Sequence, residues 1–150
     1  MSAPRTDTTH PATSRSPRSP RWGFGGRHRV RVGDELHLTR RRVQCPIFGL
    51  LATRIFTPDT GRAPHNHSRW FVTFIVSGGY WEVVYDDPAD LSACRERHHR
   101  RWSVMVLRRD QAHRITRVEG QLRTFIVAGP WRGDFAFWAE DGPVGREQYG

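Results

Sequence analysis

Residues 65–80 read HNHSRWFVTFIVSGGY. From Trp70 to Ser77 the side chains are almost all aromatic or β-branched, and Gly78-Gly79 follows them. That composition predicts a strand over Trp70–Ser77 with a turn at its end. Residues two apart on an extended chain point to the same side. His65 and His67 therefore share a face, and the same parity carries Arg69, Phe71, Thr73 and Ile75 with them, while Trp70, Val72 and Phe74 go to the other side. Two imidazoles converging beside an aromatic ring and a hydroxyl suggest a pocket that takes a metal ion or a small ligand.

The same pattern of short apolar runs recurs on both sides of this stretch. Candidate strands are Glu35–Val43, Phe48–Phe56, Tyr80–Tyr85, Ser103–Leu107, His113–Val118, Leu122–Ala128 and Gly133–Trp138. Turn chemistry separates them at Pro58-Asp59-Thr60-Gly61, Glu119-Gly120 and Gly129-Pro130. Asp86–Arg101, DDPADLSACRERHHRR, interrupts the series and reads as a charged loop or a short helical turn. Helical periodicity is absent, so the chain is expected to be an all-β sandwich or barrel. His113 opens a later strand after Asp110-Gln111-Ala112. A third imidazole there would complete three ligands on one side of a metal and leave positions open for water, dioxygen or substrate.

The 150 residues suit one domain. Residues 1–30, rich in Ser, Pro, Thr and Arg, have almost nothing to bury and are expected to form a disordered tail ahead of a β-barrel domain over 31–150. The formal charge is +9, and all 24 basic residues are Arg, which points to a coding bias rather than site-by-site selection for phosphate. Seven of these Arg lie in residues 1–31 against Asp7 alone, so the folded part is close to balanced. Nucleic acid is accordingly an unfavoured partner, reachable only through the tail. Cys45 and Cys94 make no CxxC pair or disulfide framework, and no apolar run is long enough to span a bilayer. A soluble cytoplasmic protein is the expectation.

HNHSRWFVTFIVSGGY resembles the first cupin motif, with Gly61 and Gly78 in its glycine positions, and RRDQAHRI resembles the second. The stretch from Arg41 to Tyr149 is similar to a group of small bacterial and phage cupin proteins, through HNHSRWF, SGGY, AHRI, VAGP and DFAFWAEDG. The resemblance implies a double-stranded β-helix, or jelly-roll, barrel holding one divalent metal ion on His65, His67 and His113. Cupins commonly add a glutamate four or five residues after the second histidine; Phe71 and Val72 stand there. An all-imidazole set suits Fe(II), Zn, Ni or Cu better than Mg or Ca, and the resemblance to cupin dioxygenases with three histidines implies Fe(II) first, with Mn a further alternative. Arg69, Phe71, Thr73 and Arg117 are the pocket candidates; the two arginines share the parity of the histidines and could clamp a carboxylate at the barrel mouth, but solvation at its rim is the expected place for both. One of Tyr80, Trp81 and Glu82 should face the cavity, His98-His99 should lie in a solvated loop, and small cupins often form homodimers. The resemblance implies a metal-dependent oxygenase, lyase or isomerase acting on a small polar molecule. Two alternatives stand beside it: a non-catalytic ligand-binding or sensing cupin, and a metal-independent epimerase-like cupin, for which no Asp has a clear place in the sequence.

Overall fold

The computed structural model describes residues 23–59, 61–87, 90–133, 135–139 and 142–144. The expected tail lies outside the described residues as far as Trp22, and strand structure begins at Gly23, ahead of the boundary expected at residue 31. The strands are β1 (Gly23–Phe24), β2 (His28–Val32), β3 (Glu35–Gln44), β4 (Gly49–Ile55), β5 (Phe71–Tyr85), β6 (Cys94–His99), β7 (Val104–Leu107), β8 (Ala112–Ala128), β9 (Phe137–Ala139) and β10 (Gly142–Val144). Eight of them pair in the order β1-β3-β4-β8-β5-β6, with β2 beside β3 and β7 beside β5, while β9 and β10 pair with each other. Every pairing is antiparallel. Among the described residues there is no helix, and none therefore that could cross a membrane.

β4 illustrates how sequence selects a face. Leu51 and Thr53 are buried while Leu50, Ala52 and Arg54 alternate outward. β8 does the same with Leu122, Thr124, Ile126 and Ala128. These inward residues meet Ile75, Tyr80, Met105, Leu107 and Ile115 in the barrel interior. The outward face is unusually apolar: Leu50, Val127, Val72 and Val106 sit side by side in register across four strands, with Phe125, Phe74 and Val104 in the adjoining row. Of these, Val104 and Val106 are the most open to solvent.

Two expected turns are not turns. Gly78-Gly79 and Glu119-Gly120 lie inside β5 and β8, which pair from Phe71↔Ala128 to Tyr85↔Ala112 with register shifts at Ile75/Ser77, Ser77/Gly79 and Trp81/Glu82. Such bulges bend a ribbon without ending it. Gly78 has φ 71°, and a Cβ there would sit 2.6 Å from the Glu119 carbonyl oxygen. Cross-strand pairing has absorbed residues that would, locally, favour reversal. The Asp86–Arg101 stretch also departs from its reading as a loop. Cys94–His99 pairs with β5 from Tyr85↔Cys94 to Tyr80↔His99.

Candidate metal centre

His65 does not belong to β5. It forms a two-way backbone bridge with His113, His65 N to His113 O at 3.0 Å and His113 N to His65 O at 2.9 Å. Asn66 then ties the segment to Ala136, whose N–H donates 2.7 Å to the Asn66 side-chain oxygen. Further backbone bonds join Pro64 to Trp138, Ser68 to Arg132 and Trp70 to Gly129. The chain bends between Ser68 and Trp70 before β5 starts at Phe71. The two histidines still converge, but by this lacing and not by continuous strand parity.

The bend has a consequence for Arg69. Its buried guanidinium donates to the carbonyls of Cys45 at 2.8 Å and Gly129 at 3.1 Å, away from the cavity. Arg117 is exposed, lies over the Trp81 ring and pairs with Glu119 at 3.3 Å. Neither lines the cavity as the pocket candidate that parity made it, because the parity count crossed a bend in one case and a bulge in the other; Arg69 is not at a solvated rim either, but buried. Phe71 and Thr73, which lie within β5, do line the cavity, and Tyr80 faces it from beyond the bulges.

His65, His67 and His113 come together. Their ring centroids are separated by 5.0, 4.8 and 5.1 Å, and one ligand atom from each lies within 4.8 Å of the others. Nε2 of His67 is 2.9 Å from Nε2 of His113. Two nitrogens at about 2.0–2.1 Å from one ion stand roughly 3 Å apart, so this pair is already at ligand spacing, whereas the widest pair must close further. Nδ1 of His65 is buried without a hydrogen-bond partner. An orphaned imidazole nitrogen beside two facing imidazole nitrogens fits a metal ion better than it fits a hydrogen-bonded core.

Behind His113 stands a group that sequence reasoning missed. Glu82 is fully buried; one carboxylate oxygen accepts from Nδ1 of His113 at 2.7 Å, the other meets Nε2 of His99 at 2.8 Å. Burial pushes its carboxyl up, but the hydrogen bonds from His113 and His99 outweigh that and hold it down at about 2. A carboxylate in this position fixes the tautomer of His113, with Nδ1 protonated and the Nε2 lone pair turned to the site. The glutamate absent after His67 is thus not replaced as a direct ligand; a carboxylate reaches the site from β5 at one remove. Burial also holds His65 down at about 3, with His113 the next cause, and drives His67 well below its ordinary value. Neutral imidazoles are the ligating form.

The three histidines open on a cavity of about 140 Å³. Its wall is largely apolar, with Leu38, Phe71, Leu107 and Ile126, interrupted by Arg40, Arg62, His37, Asp59 and three threonines. Asp59 accepts from the Ile115 N–H at 3.0 Å and pairs with His37 at 3.3 Å and Arg62 at 3.8 Å. Burial raises the Asp59 carboxyl, but His37, the charge of His65 and the Ile115 amide together hold it below the usual carboxylate range. Of His37, Arg40, Arg62 and Asp59, only Asp59 was part of a sequence signal, and that signal was for a turn.

No protein-family model matches the sequence, and no curated protein matches it. Solved structures do match the fold. HppE with Fe(II) and the alternative substrate (S)-1-HPP aligns with TM-score 0.54 at 14% identity, over 69% of this chain and 55% of that chain. The polyketide cyclase RemF from Streptomyces resistomycificus gives 0.53 and 18%, over 75% of this chain and 76% of that one. A variant of Bacillus subtilis oxalate decarboxylase OxdC gives 0.55 and 14%, over 83% and 33%. These proteins share one architecture. The chain has the cupin fold. The chain spans 55% of the length of the HppE chain it matches, and at such identities the likeness extends to the fold alone.

Proposed function

We propose that this cupin is a mononuclear metal-dependent enzyme acting on a small molecule, with His65, His67 and His113 as the metal ligands and Fe(II) as the first candidate ion. The observation that carries the reading is the facing pair of Nε2 atoms of His67 and His113 at 2.9 Å, with His113 oriented from behind by Glu82. Fe(II) named in the HppE structure supports the choice of ion, as does the softness of an all-imidazole set. A bound divalent ion would supply Lewis-acid polarisation or, as Fe(II), chemistry with dioxygen. The chain's own residues do the rest. The apolar wall excludes water, Glu82 keeps the His113 lone pair directed inward, and Phe71 packs against the His67 ring at 4.6 Å to hold its plane.

Elemental analysis of the purified protein beside His65→Ala and His113→Ala is the test. About one metal ion per chain is expected in the wild type and little in the variants. Equal metal content in all three removes the reading. Metal retention with loss of thermal stability on chelation, but no turnover on any substrate panel, favours a non-catalytic binding or sensing cupin.

A second reading has its own support. A metal-independent, epimerase-like mechanism needs a histidine base held by a carboxylate and an acid facing it. His37 paired with Asp59 supplies the first, and Tyr80, buried in the cavity wall with its hydroxyl against Met105 Sδ, supplies the second. Burial drives the Tyr80 phenol well up, so it stays protonated. Turnover that survives exhaustive chelation and is lost in His37→Phe would select this reading.

A further inference from the structure

Arg40 is the cavity cation that lacks a counter-charge. It projects from β3, its Nε donates to Thr53 Oγ1 at 3.4 Å, and among the described residues no carboxylate pairs with it. The other guanidinium on the wall, Arg62, already has Asp59 at 3.8 Å. A half-buried arginine facing a cavity without an anion is costly unless a ligand supplies one.

Strand register places further donors beside it. Arg40 pairs with Thr53 across β3 and β4, and Thr53 pairs with Thr124 across β4 and β8. Arg40, Thr53 and Thr124 therefore form one row across three strands, and all three side chains line the same cavity as the histidines. Thr124 is 4% exposed, and its Oγ1 has no hydrogen-bond partner. A buried hydroxyl left unpaired in the same row as a guanidinium that has no carboxylate partner is a polar surface made for an acceptor oxygen.

We propose that this row is a carboxylate subsite, and that the substrate is a small monocarboxylate whose apolar body lies against the cavity wall with its far end toward the three histidines. The inference deepens the enzyme reading and rests on it for the word substrate. Charge favours an anion: the Arg40 guanidinium, with no carboxylate partner, matches the single negative charge and planar pair of oxygens of a carboxylate. Volume selects the size. The cavity, about 140 Å³, takes a small molecule and not a large cofactor.

Butanoate and its neutral isostere butanamide test this without any variant, by ligand-observed NMR titration of the full-length protein. Butanoate should bind at least about tenfold more tightly. Equal affinities overturn the proposal. Arg40→Gln should abolish the preference and Thr124→Val should weaken it several-fold, whereas Arg117→Gln on the outer surface should leave it unchanged. A preference that persists in Arg40→Gln but vanishes on chelation places the carboxylate on a metal ion instead and overturns the proposal while keeping the metal reading. A preference that survives in His67→Ala, together with metal-free wild-type protein, keeps the subsite and removes the metal. Metal content and melting temperature of each variant separate a lost subsite from a lost fold.

Discussion

Replacing Glu82 by Gln changes one charge at a position where shape is tightly constrained. The carboxylate accepts a 2.7 Å charge-assisted hydrogen bond from His113 Nδ1 and touches His99 at 2.8 Å, with no access to solvent. Gln is isosteric, and its amide oxygen can still accept from His113, so the fold is retained. The negative charge that raises the basicity of His113 and locks its tautomer is lost. A hydrogen bond to a charged acceptor contributes about 1.5–3 kcal/mol and a neutral one about 1 kcal/mol, so the ligand set should lose roughly 1–2 kcal/mol. That corresponds to a loss of metal affinity of about five- to thirtyfold, overlapping the range for partners that orient metal-binding histidines. Competition against a chromophoric chelator with Zn(II), which has no redox chemistry to complicate the titration, reads this directly. His99→Gln, which touches Glu82 but none of the three histidine nitrogens, should have a smaller effect. An affinity for Glu82→Gln within twofold of wild type, with the melting curve intact, would refute the role assigned to Glu82.

Arg69→Leu leaves the buried carbonyls of Cys45 and Gly129 without a donor and should cost about 3 kcal/mol in urea unfolding while metal content stays at the wild-type level; a loss of metal with unchanged stability would return Arg69 to the pocket. Gly78→Ala forces a Cβ to 2.6 Å from the Glu119 carbonyl at φ 71° and should destabilise by roughly 3 kcal/mol, and a variant as stable as wild type would mean the bend is not constrained there. The Asp59 carboxyl is depressed in the folded state, so its contribution is complete above the unfolded value near 4 and is lost as pH falls below it. Asp59→Asn should therefore cost roughly 2 kcal/mol at pH 6 and progressively less as pH is taken below 4, with much of the difference still present at pH 3, and a gap between the urea midpoints of the two proteins that stays constant down to pH 2 would contradict the pairing. The expected homodimer predicts twice the mass of one chain by light scattering, reduced to one chain by Val106→Glu with Phe125→Glu on the apolar outer face; a monomeric wild type ends that expectation.

The strands were legible wherever burial alternates cleanly, as in Gly49–Ile55. The three histidines were legible because HNH and the opening of β8 carry a motif. Glu82 was hidden because three register shifts separate it from the parity of His67, and no local pattern encodes a bulge on its partner strand. Arg40 was hidden for another reason: it sits in the run TRRRV, in a chain whose basic residues are all Arg, so neither composition nor spacing singles it out. Thr53 and Thr124 look like ordinary strand formers until register aligns them with it. His98 and His99 were masked by their charged neighbours, although His98 stacks on Trp81 at 4.2 Å and His99 meets Glu82. Long-range pairing, which sequence periodicity does not carry, decides all of these.

The ribbon of β5 and β8 divides the site into two parts with different lifetimes. His113 and Glu82 sit within its paired length, which opens only when the whole domain unfolds. His65 and His67 sit on the segment between β4 and β5, held by two backbone bonds to His113 and one each to Ala136 and Arg132 that can break without disturbing the ribbon. Whatever the ion, its departure should begin with the lifting of that segment. The off-rate is then set by a few local bonds, while one of the three ligands waits in place for recapture.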